Sequence, residues 1–333
     1  MINPIYSADK ARYSGGMKYR RCGKSGILLP EVSLGLWHNF GDVDTLANSL
    51  RMAHFAFDKG ITHFDLANNY GPSYGSAEET FGLIMKKSFM PYRDELFIST
   101  KAGHDMWEGP YGNWGSRKYL MSSLNQSLKR MNLEYVDIFY THRYDPETPL
   151  EETLQALVDI VRQGKALYNS ISKYPKKKAE FAYRYLKERD VRYLFYQKRD
   201  NLFNREPDEQ GIQQRANENC TGFIAFSPLA QGLLTNRYLN GIPEDSRIAR
   251  GGFLKKEQLT EQVFNKIKAL NEVAGNRGQT LAEMALAWVL KDDLITSVIV
   301  GASSVKQLED NLKVTENCKF STDEIQRIGN ILQ

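Results

Sequence analysis

Four polar side chains suited to proton donation lie at or just beyond the ends of three short apolar segments. The segment His63–Ala67 contains Asp65, and a turn through two asparagines then leads to Tyr70. The next two segments end with Lys101 and His142. A buried ammonium needs a partner such as Asp65, and a cation beside a phenol lowers the phenol pKa. With His142 to orient a carbonyl oxygen, the set predicts a proton donor for a carbonyl that becomes an alkoxide.

Each of these residues also has a plainer interpretation. Asp65 and Lys101 could form a purely structural ion pair, Tyr70 could be a packed surface aromatic, and His142 could end a strand. A Schiff-base aldolase using Lys101 is a further alternative, although an ammonium paired with a carboxylate is a poor nucleophile. The coincidence of all four residues at successive segment ends favours the functional interpretation.

A carbonyl reduction also needs a hydride donor. The sequence has no evident redox metal ligands and no cysteine pair, so a nicotinamide cofactor is expected. Ser172 and Gln197 could hold its carboxamide, and Phe226 could lie against its ring. Gly301-Ala302-Ser303-Ser304 precedes a predicted helix, whose N-terminus would offer free N–H groups to phosphate.

These residues are placed by an alternation of short apolar segments and amphipathic helices. Eight segments of strand length, apolar on successive positions, are typical of parallel strands buried on both faces. They predict a (β/α)8 TIM barrel. A doubly wound open sheet is the alternative, but no G-x-G-x-x-G motif or P-loop follows a strand. The predicted strands are Ser33–Trp37, His63–Ala67, Leu96–Lys101, Val136–His142, Ala166–Ser172, Tyr193–Gln197, Gly222–Pro228 and Ser297–Ala302.

The predicted helices alternate with those strands. The clearest begin at capping residues or show a strong 3.6-residue period. They are Asp44–Lys59, Ala77–Lys87, Ser116–Met131, Leu150–Arg162, Lys176–Arg189, Asp208–Asn219, Thr280–Leu290 and Val305–Val314.

Two long loops and an N-terminal extension complete the predicted architecture. Ala102–Gly115 follows the third strand and carries three aromatic residues, Trp107, Tyr111 and Trp114. Leu229–Lys256 follows the seventh strand and is rich in arginine. Loops of this length are usually functional, and both would emerge at the active-site face of a barrel. Residues 17–29 predict a β-hairpin, residues 1–16 a surface arm, and the whole chain 1–333 a single domain.

Composition narrows the class of protein. Forty-four Lys and Arg residues against 40 Asp and Glu residues leave a net charge of +4, too small and too scattered for a nucleic-acid-binding surface. Three distant cysteines fit neither a disulfide framework nor a zinc site. No signal peptide or membrane-spanning run is visible. We therefore expect a cytoplasmic protein without a metal, nucleic-acid or membrane partner.

The motifs D-L-A-N-N-Y-G, S-T-K-A-G, Y-T-H-R-Y-D-P, F-S-P-L-A-Q-G-L-L and G-A-S-S-V-K-Q-L-E-D-N-L together resemble the aldo-keto reductase superfamily. The resemblance covers residues 17–333. G-L-W-H-N-F-G and A-Q-G-L-L-T-N-R-Y-L-N-G-I-P-E-D-S-R resemble the bacterial L-glyceraldehyde 3-phosphate reductases, which are relatives of potassium-channel β subunits. The resemblance implies NADPH-dependent reduction of aldehydes inside the barrel.

The same resemblance implies roles for individual residues. Tyr70 would be the general acid, tuned by Asp65 and Lys101, and His142 would orient the substrate. The residues implied around NADP(H) are Trp37, Asp65, Ser172, Lys173, Gln197, Phe226, Ser227, Leu229, Gln231, Gly232, Arg237, Arg247, Gly301, Ser303, Gln307, Asp310 and Asn311. An arginine near a 2′-phosphate would explain NADPH over NADH. The substrate side would comprise Trp37, His38, Trp107, Tyr111, Trp114 and Arg143.

The sequence departs from the family pattern after the fifth and sixth strands. Ser170-Ile171-Ser172-Lys173 stands where relatives have G-I-S-N or G-I-S-S, and Asp200 stands in a segment that usually reads Y-Q-x-x-Y-N. Lys173 would place an ammonium near the nicotinamide, where it could hold a phosphorylated substrate or cofactor. Asp200 could pair with Lys173 and neutralise it.

Two functions remain open at this point. The first is reduction of short aldehydes, with L-glyceraldehyde 3-phosphate and methylglyoxal as the best candidates, because Arg143 and Lys173 suit an anionic substrate. The second is an NADPH-binding regulatory or sensor protein with little turnover, in which Lys173 and Asp200 mark a drifted site. Relatives form tetramers or octamers, so a homo-oligomer is an option.

Overall fold

Eight parallel strands close into a barrel in the computed structural model, which describes residues 6–239, 241–242 and 256–333. Each strand pairs with the next along the chain, and the last pairs with the first. The predicted barrel is therefore confirmed, and the open sheet is excluded. The barrel strands are β3 (Val32–Gly35), β4 (His63–Asp65), β5 (Phe97–Ala102), β6 (Val136–Thr141), β7 (Ala166–Ser172), β8 (Tyr193–Arg199), β9 (Gly222–Phe226) and β10 (Ser297–Val300).

Helices surround the barrel, and one begins at the predicted cap, Ser116, whereas the helix predicted to open with Asp44 is capped by Thr45. The side chains of Thr45 and Ser116 accept hydrogen bonds from the first turns of their helices, and Thr280 forms a capping box with Glu283. The helices are α1 (Leu46–Asp58), α2 (Ser76–Ile84), α3 (Arg117–Met131), α4 (Leu150–Arg162), α5 (Lys176–Lys187), α6 (Glu206–Glu209), α7 (Ile212–Glu218), α8 (Glu261–Asn276), α9 (Leu281–Leu290), α10 (Val305–Leu312) and α11 (Thr322–Leu332).

Four segments of the described residues differ from the sequence-based assignment. Helices α8 and α11 were not predicted; they pack together in an apolar cluster that includes Ile267 and Ile328. The predicted helix 77–87 ends at Ile84 and continues as π and 3₁₀ turns to Glu95. The predicted helix 208–219 is divided into α6 and α7. None of the helices in the described ranges has the length and apolar composition needed to cross a bilayer.

The predicted N-terminal hairpin covers the base of the barrel. Strands β1 (Tyr19–Arg21) and β2 (Leu28–Pro30) pair antiparallel. Cys22 and Leu29 are fully buried in a cluster with interior residues of the barrel such as Phe97 and Ile299. Gly23 has a φ of +52°, and an added Cβ would lie 2.0 Å from the carbonyl oxygen of Cys220. The hairpin therefore sits directly on the chain entering β9, at the end of the barrel opposite the polar strand ends.

Both predicted long loops emerge at the carboxyl ends of their strands. The first runs from Gly103 to Ser116, between β5 and α3. The second begins at Ser227 after β9 and forms 3₁₀ turns at 230–232, 236–238 and 256–258 before α8. Residues 6–16 of the predicted arm lie against α1: the ring of Tyr6 stacks on His54 at 3.8 Å, and its hydroxyl donates to Asp58 at 2.7 Å.

Candidate active site

An ammonium, a carboxylate and a phenol converge at the carboxyl ends of β4 and β5. Lys101 has no solvent exposure, and its Nζ donates to Asp65 Oδ2 and the Leu66 carbonyl oxygen at 2.6 Å each and to the Tyr70 hydroxyl at 3.4 Å. The turn after β4 returns Tyr70 over the lysine, since its ring lies 4.9 Å from Nζ. All three N–H groups of Lys101 therefore have acceptors, which disfavours a role as Schiff-base nucleophile.

The pKa of Tyr70 moves in the direction opposite to the sequence-based expectation. The ring is half-buried, but protein atoms surround the hydroxyl, and this burial raises its pKa well above the ordinary value, with a smaller contribution from the negative charge of Asp65. Burial also lowers the pKa of Lys101, although Asp65 opposes that change. Because the negative charge of Asp65 cancels much of the positive charge of Lys101, burial decides the direction of the Tyr70 pKa shift. Tyr70 therefore holds its proton at neutral pH until a strongly basic oxygen accepts it.

His142 lies beside Tyr70 as a neutral ring. The two rings form a T-shaped contact with centroids 5.8 Å apart. The pKa of His142 lies well below its ordinary value because the ring is buried, with Lys173 and Lys101 as further causes. Its Nδ1 is buried without a hydrogen-bond partner. A neutral imidazole whose Nδ1 is not engaged can present an N–H to a substrate oxygen.

A chain of buried hydrogen bonds runs through the barrel interior to Asp65. Ser99 Oγ donates to Asp65 Oδ1 at 2.8 Å, and His63 Nε2 lies 3.1 Å from Ser99 Oγ. His63 Nδ1 is 2.8 Å from Ser33 Oγ, which is 2.6 Å from Ser297 Oγ. Since a carboxylate only accepts, every hydroxyl and the imidazole can donate toward Asp65. The chain therefore supplies a hydrogen-bond donor that orients the carboxylate of Asp65.

We expect the neutral state of His63 to make folding stability depend on pH. Burial lowers the pKa of His63 to about 4, against about 6.5 in the unfolded chain. The stabilisation is therefore complete above pH 6.5 and is lost as pH falls toward 4. His63→Asn keeps two hydrogen-bonding groups but does not titrate. Urea unfolding at several pH values should show the free-energy gap between wild type and variant shrinking by on the order of 3 kcal/mol over this range; parallel curves would contradict this.

Lys173 and Asp200, the two departures from the family pattern, do not pair. Asp200 is buried and accepts a hydrogen bond from Gln213, and burial raises its pKa to about 7. The ammonium of Lys173 instead lies at the barrel mouth, 3.3 Å from His104 Nε2 and 5.5 Å from the centre of the Phe226 ring. The expected neutralisation by Asp200 is wrong, because Asp200 lies after the end of β8 with its carboxylate bonded to α7.

The residues expected to hold a nicotinamide lie on the adjacent strands. Ser172 Oγ is 3.4 Å from Gln197 Oε1, and Gln197 Nε2 is 3.3 Å from Asp65 Oδ1. Phe226 ends β9 beside the ammonium of Lys173. A hydroxyl, an amide and a half-buried aromatic ring within reach of Asp65 provide the polar and apolar contacts that a nicotinamide carboxamide and ring require, so the residues present fit this group.

The loop after β9 and the start of α10 form the rest of the expected cofactor side. Ser227 and Gln231 have positive φ values of 54° and 59°, so this loop is tightly folded between Leu229 and Gly232. Ser303 N and Oγ both donate to Gln307 Oε1 at 3.0 Å, and a Cβ at Gly301 would contact nothing within 4 Å. Asp310 pairs with Lys306 and Lys313 on the surface, and Asn311 is buried. Arg237 is exposed in a 3₁₀ turn, and Arg247 lies outside the described residues.

The residues expected on the substrate side divide into two groups. Trp37 and His38 pack on each other, and the Trp37 ring lies 6.3 Å from Tyr70. Arg143 stacks on Trp114 at 3.7 Å and donates to the Gly103 carbonyl oxygen. Of the remaining two aromatics, Trp107 packs against Tyr119 and Tyr111 is exposed. The first loop thus brings Trp114, rather than all three aromatics, to Arg143.

Sequence reasoning missed His63, Ser99 and His104. His104 forms a T-shaped contact with His142 at 4.5 Å, and burial together with Lys173 lowers its pKa to about 3. The signal available for His104 was its place three residues after Lys101, just past a strand end. His63 and Ser99 are polar residues within apolar segments, which is itself unusual. Among the described residues, no group of His, Cys, Asp or Glu could hold a metal ion.

A closed barrel with ionisable side chains from neighbouring strand ends is the architecture of (β/α)8 enzymes. The chain belongs to the aldo/keto reductase family, which it matches over residues 31–333. Membership of this family identifies it as an oxidoreductase that uses a nicotinamide cofactor, as the motifs predicted.

Similar proteins agree with this assignment. The chain is 55% identical to the L-glyceraldehyde 3-phosphate reductase of Escherichia coli strain K12 over 328 residues, which cover 97% of this chain and 94% of that protein. A solved thermostable aldo-keto reductase in complex with the inhibitor epalrestat shares 28% identity, with a TM-score of 0.73 over 95% of this chain and all of that one. The holo form of an aldo-keto reductase from Bacillus halodurans, at 24% identity, has a TM-score of 0.75 over 95% and 97% of the two chains and agrees in fold.

Proposed function

We propose that this protein reduces short aldehydes to alcohols with NADPH, with L-glyceraldehyde 3-phosphate as first candidate and methylglyoxal as second. The observation that carries this proposal is the contact of one buried ammonium with both a carboxylate and a phenol at the barrel mouth, Lys101 with Asp65 and Tyr70. The 55% identity to a protein named L-glyceraldehyde 3-phosphate reductase supports the substrate class.

Each residue has a distinct part in the proposed reaction. Bound NADPH supplies a hydride to the carbonyl carbon. Tyr70 gives its hydroxyl proton to the carbonyl oxygen as negative charge develops there. Lys101 stabilises the phenolate that remains, and Asp65 keeps the lysine charged and in place. His142, neutral and beside Tyr70, donates a hydrogen bond that orients the carbonyl.

The residues that would hold the cofactor are the set named from the resemblance. Ser172, Gln197 and Phe226 would position the nicotinamide, with Trp37 and Lys173 beside it. The loop after β9 and the start of α10 would hold the phosphates and adenosine, through Ser227, Leu229, Gln231, Gly232, Arg237, Arg247, Gly301, Ser303, Gln307, Asp310 and Asn311. The proposal includes a single cytoplasmic domain over residues 1–333 that assembles as a homo-oligomer, which gel filtration would test.

The decisive experiment measures NADPH oxidation with a panel of phosphorylated and unphosphorylated aldehydes. We expect turnover of several and the highest kcat/KM for a three-carbon aldehyde. Binding of NADPH without oxidation by any aldehyde would contradict the proposal and support the sensor alternative instead.

We expect Arg237→Ala to weaken NADPH binding more than NADH binding. The guanidinium is exposed on the loop after β9, and a charge-assisted contact to the 2′-phosphate corresponds to about a 10- to 100-fold change in Kd. Fluorescence titration of both cofactors checks this. Lys268→Ala, which removes an exposed cation from α8, serves as the control. An equal loss for both cofactors would place Arg237 away from the 2′-phosphate.

A further inference from the structure

The mouth of the barrel carries an excess of positive charge that the proton-donating residues do not use. Burial is the main cause that lowers the pKa of Lys173, and the further causes are Lys101, Arg199 and Arg143, all cationic. Burial lowers the pKa values of His104 and His142, and Lys173 and Arg143 lower both further. Two nearby carboxylates, Asp105 and Asp145, raise the pKa of Arg143 against the lowering effect of its burial. Within the described residues, no carboxylate forms an ion pair with Lys173.

Lys173 has defined contacts both at its backbone and at its ammonium. Its φ of +56° is in the left-handed region, which is uncommon for a residue with a side chain. Its backbone N–H donates to the carbonyl oxygen of Gln197 at 3.0 Å, and its Nζ is 3.3 Å from His104 Nε2. An unfavourable backbone conformation that aims a cation over a site is a reason to suspect function.

His104 is a neutral support for that ammonium. With its pKa lowered to about 3, its ring can accept one hydrogen bond from Lys173 and leaves the other ammonium protons for a ligand. The ring also contacts His142, whose ring contacts Tyr70. Lys173 is therefore connected to the proton-donating phenol through two imidazole rings.

Arg143 provides a second cation at the same opening. Its guanidinium stacks on Trp114 at 3.7 Å, and its Nε and Nη2 donate to the Gly103 carbonyl oxygen and to Asn113 Oδ1 at 2.7 and 2.9 Å. These contacts fix the plane of the group and use part of its five N–H donors.

We propose that Lys173, supported by His104 and assisted by Arg143, binds the phosphate of a phosphorylated aldehyde whose carbonyl lies at Tyr70 and His142. The proposal rests on the proposed reductase function and assigns its substrate class. A phosphate is a dianion above pH 6 and suits two converging cations. Lys173 thereby makes the site selective for phosphorylated over neutral aldehydes of the same length.

The test compares the kcat/KM values for glyceraldehyde 3-phosphate and unphosphorylated glyceraldehyde in each enzyme variant. Lys173→Met keeps length and removes charge, and we expect it to lower the ratio of the two values about 10- to 100-fold. Lys173→Arg should restore part of the ratio. Because both substrates use the same bound cofactor, any effect of Lys173 on NADPH affects both values and cancels in the ratio. Lys177→Met, an equal loss of charge on the exposed surface of α5, should leave the ratio unchanged.

Two further measurements, inhibition by inorganic phosphate and the pH dependence of kcat/KM, test the same inference in wild type and in Lys173→Met. Inorganic phosphate should inhibit methylglyoxal reduction competitively in wild type, with a Ki about tenfold higher in Lys173→Met. Burial and the neighbouring cations lower the pKa of Lys173 to about 8. Its charge is present below that pH and is lost above it, so the phosphate preference in kcat/KM should decline between pH 7 and 9 in wild type and stay flat in Lys173→Met.

The outcomes separate this inference from the proposed function. Reduction of aldehydes with an unchanged ratio in Lys173→Met, or a ratio equally changed in Lys177→Met, overturns the phosphate site and leaves the reductase intact. If Lys173→Met binds NADPH more weakly but keeps the wild-type ratio of kcat/KM values, Lys173 contacts the cofactor and not the substrate phosphate. Failure of the wild-type enzyme to reduce any aldehyde overturns the proposed function itself.

Discussion

Replacing Tyr70 by Phe is expected to lower kcat for aldehyde reduction about 100- to 10,000-fold while leaving NADPH binding nearly unchanged. The substitution removes one oxygen atom, the hydroxyl that lies 3.4 Å from Lys101 Nζ, and keeps the ring that contacts His142 and Trp37. Without that proton the developing alkoxide has no donor among the assigned residues except neutral His142. The measurements are NADPH oxidation with saturating aldehyde and fluorescence titration of the cofactor.

Tyr74→Phe provides the matched control. Tyr74 lies four residues further along the same loop, and its side chain is 56% exposed. The same hydroxyl deletion there should change kcat by less than about twofold. Wild-type activity in Tyr70→Phe would remove this phenol from the mechanism. An equal loss in both variants would point to a disturbed loop rather than to a missing proton.

The second large effect is expected from Lys101→Met, which should reduce both activity and stability. Lys101 and Asp65 form a salt bridge of 2.6 Å with side-chain exposures of 0% and 3%. Removing the ammonium leaves a buried carboxylate that is supported by Ser99 and Gln197 alone. Breaking a buried pair in this way typically costs about 3 to 5 kcal/mol of folding free energy. Activity should also fall by orders of magnitude, because the phenolate of Tyr70 loses its counter-charge.

The double variant Asp65→Asn/Lys101→Met separates these two effects. Removing the carboxylate together with the ammonium leaves no unpaired buried charge, so much of the lost stability should return, as seen by urea unfolding. Activity should remain at the level of Lys101→Met, since the proton-donating system is still absent. Recovery of activity with stability would mean that the pair serves folding only, the structural interpretation considered for these residues at the outset.

The eight barrel strands could be predicted because a strand buried on both faces is apolar at successive positions of the sequence. Segments such as Val136–Thr141 are apolar at successive positions, and polar residues such as Lys101 and His142 mark where each strand reaches the mouth. Helices α8 and α11 were missed although their signals are present in the sequence. Ile267, Leu270 and Ala274 follow the helical period in α8, and Thr260 and Ser321 cap the two helices.

The electrostatics of the site were less accessible from sequence. A Tyr beside a Lys suggested a lowered pKa, but the direction depends on burial, which no local pattern reports. Asp200 appeared close enough to Lys173 by strand order, yet its carboxylate accepts a hydrogen bond from Gln213 of α7. His104 was passed over because a single histidine in a loop has no periodicity. Spacing along the chain located the strand ends, whereas the orientation of side chains around the mouth required coordinates.

The hairpin at the base of the barrel determines from which side of the barrel Tyr70 can be reprotonated. Cys22 and Leu29 fill the lower end together with interior strand residues, so apolar side chains separate the His63 chain from solvent below. In the proposed reaction, the proton that Tyr70 gives away in each cycle would return through the upper opening, which the aldehyde and the alcohol would also use. Reprotonation of Tyr70 would then follow release of the product, and slow release of the product would delay both steps.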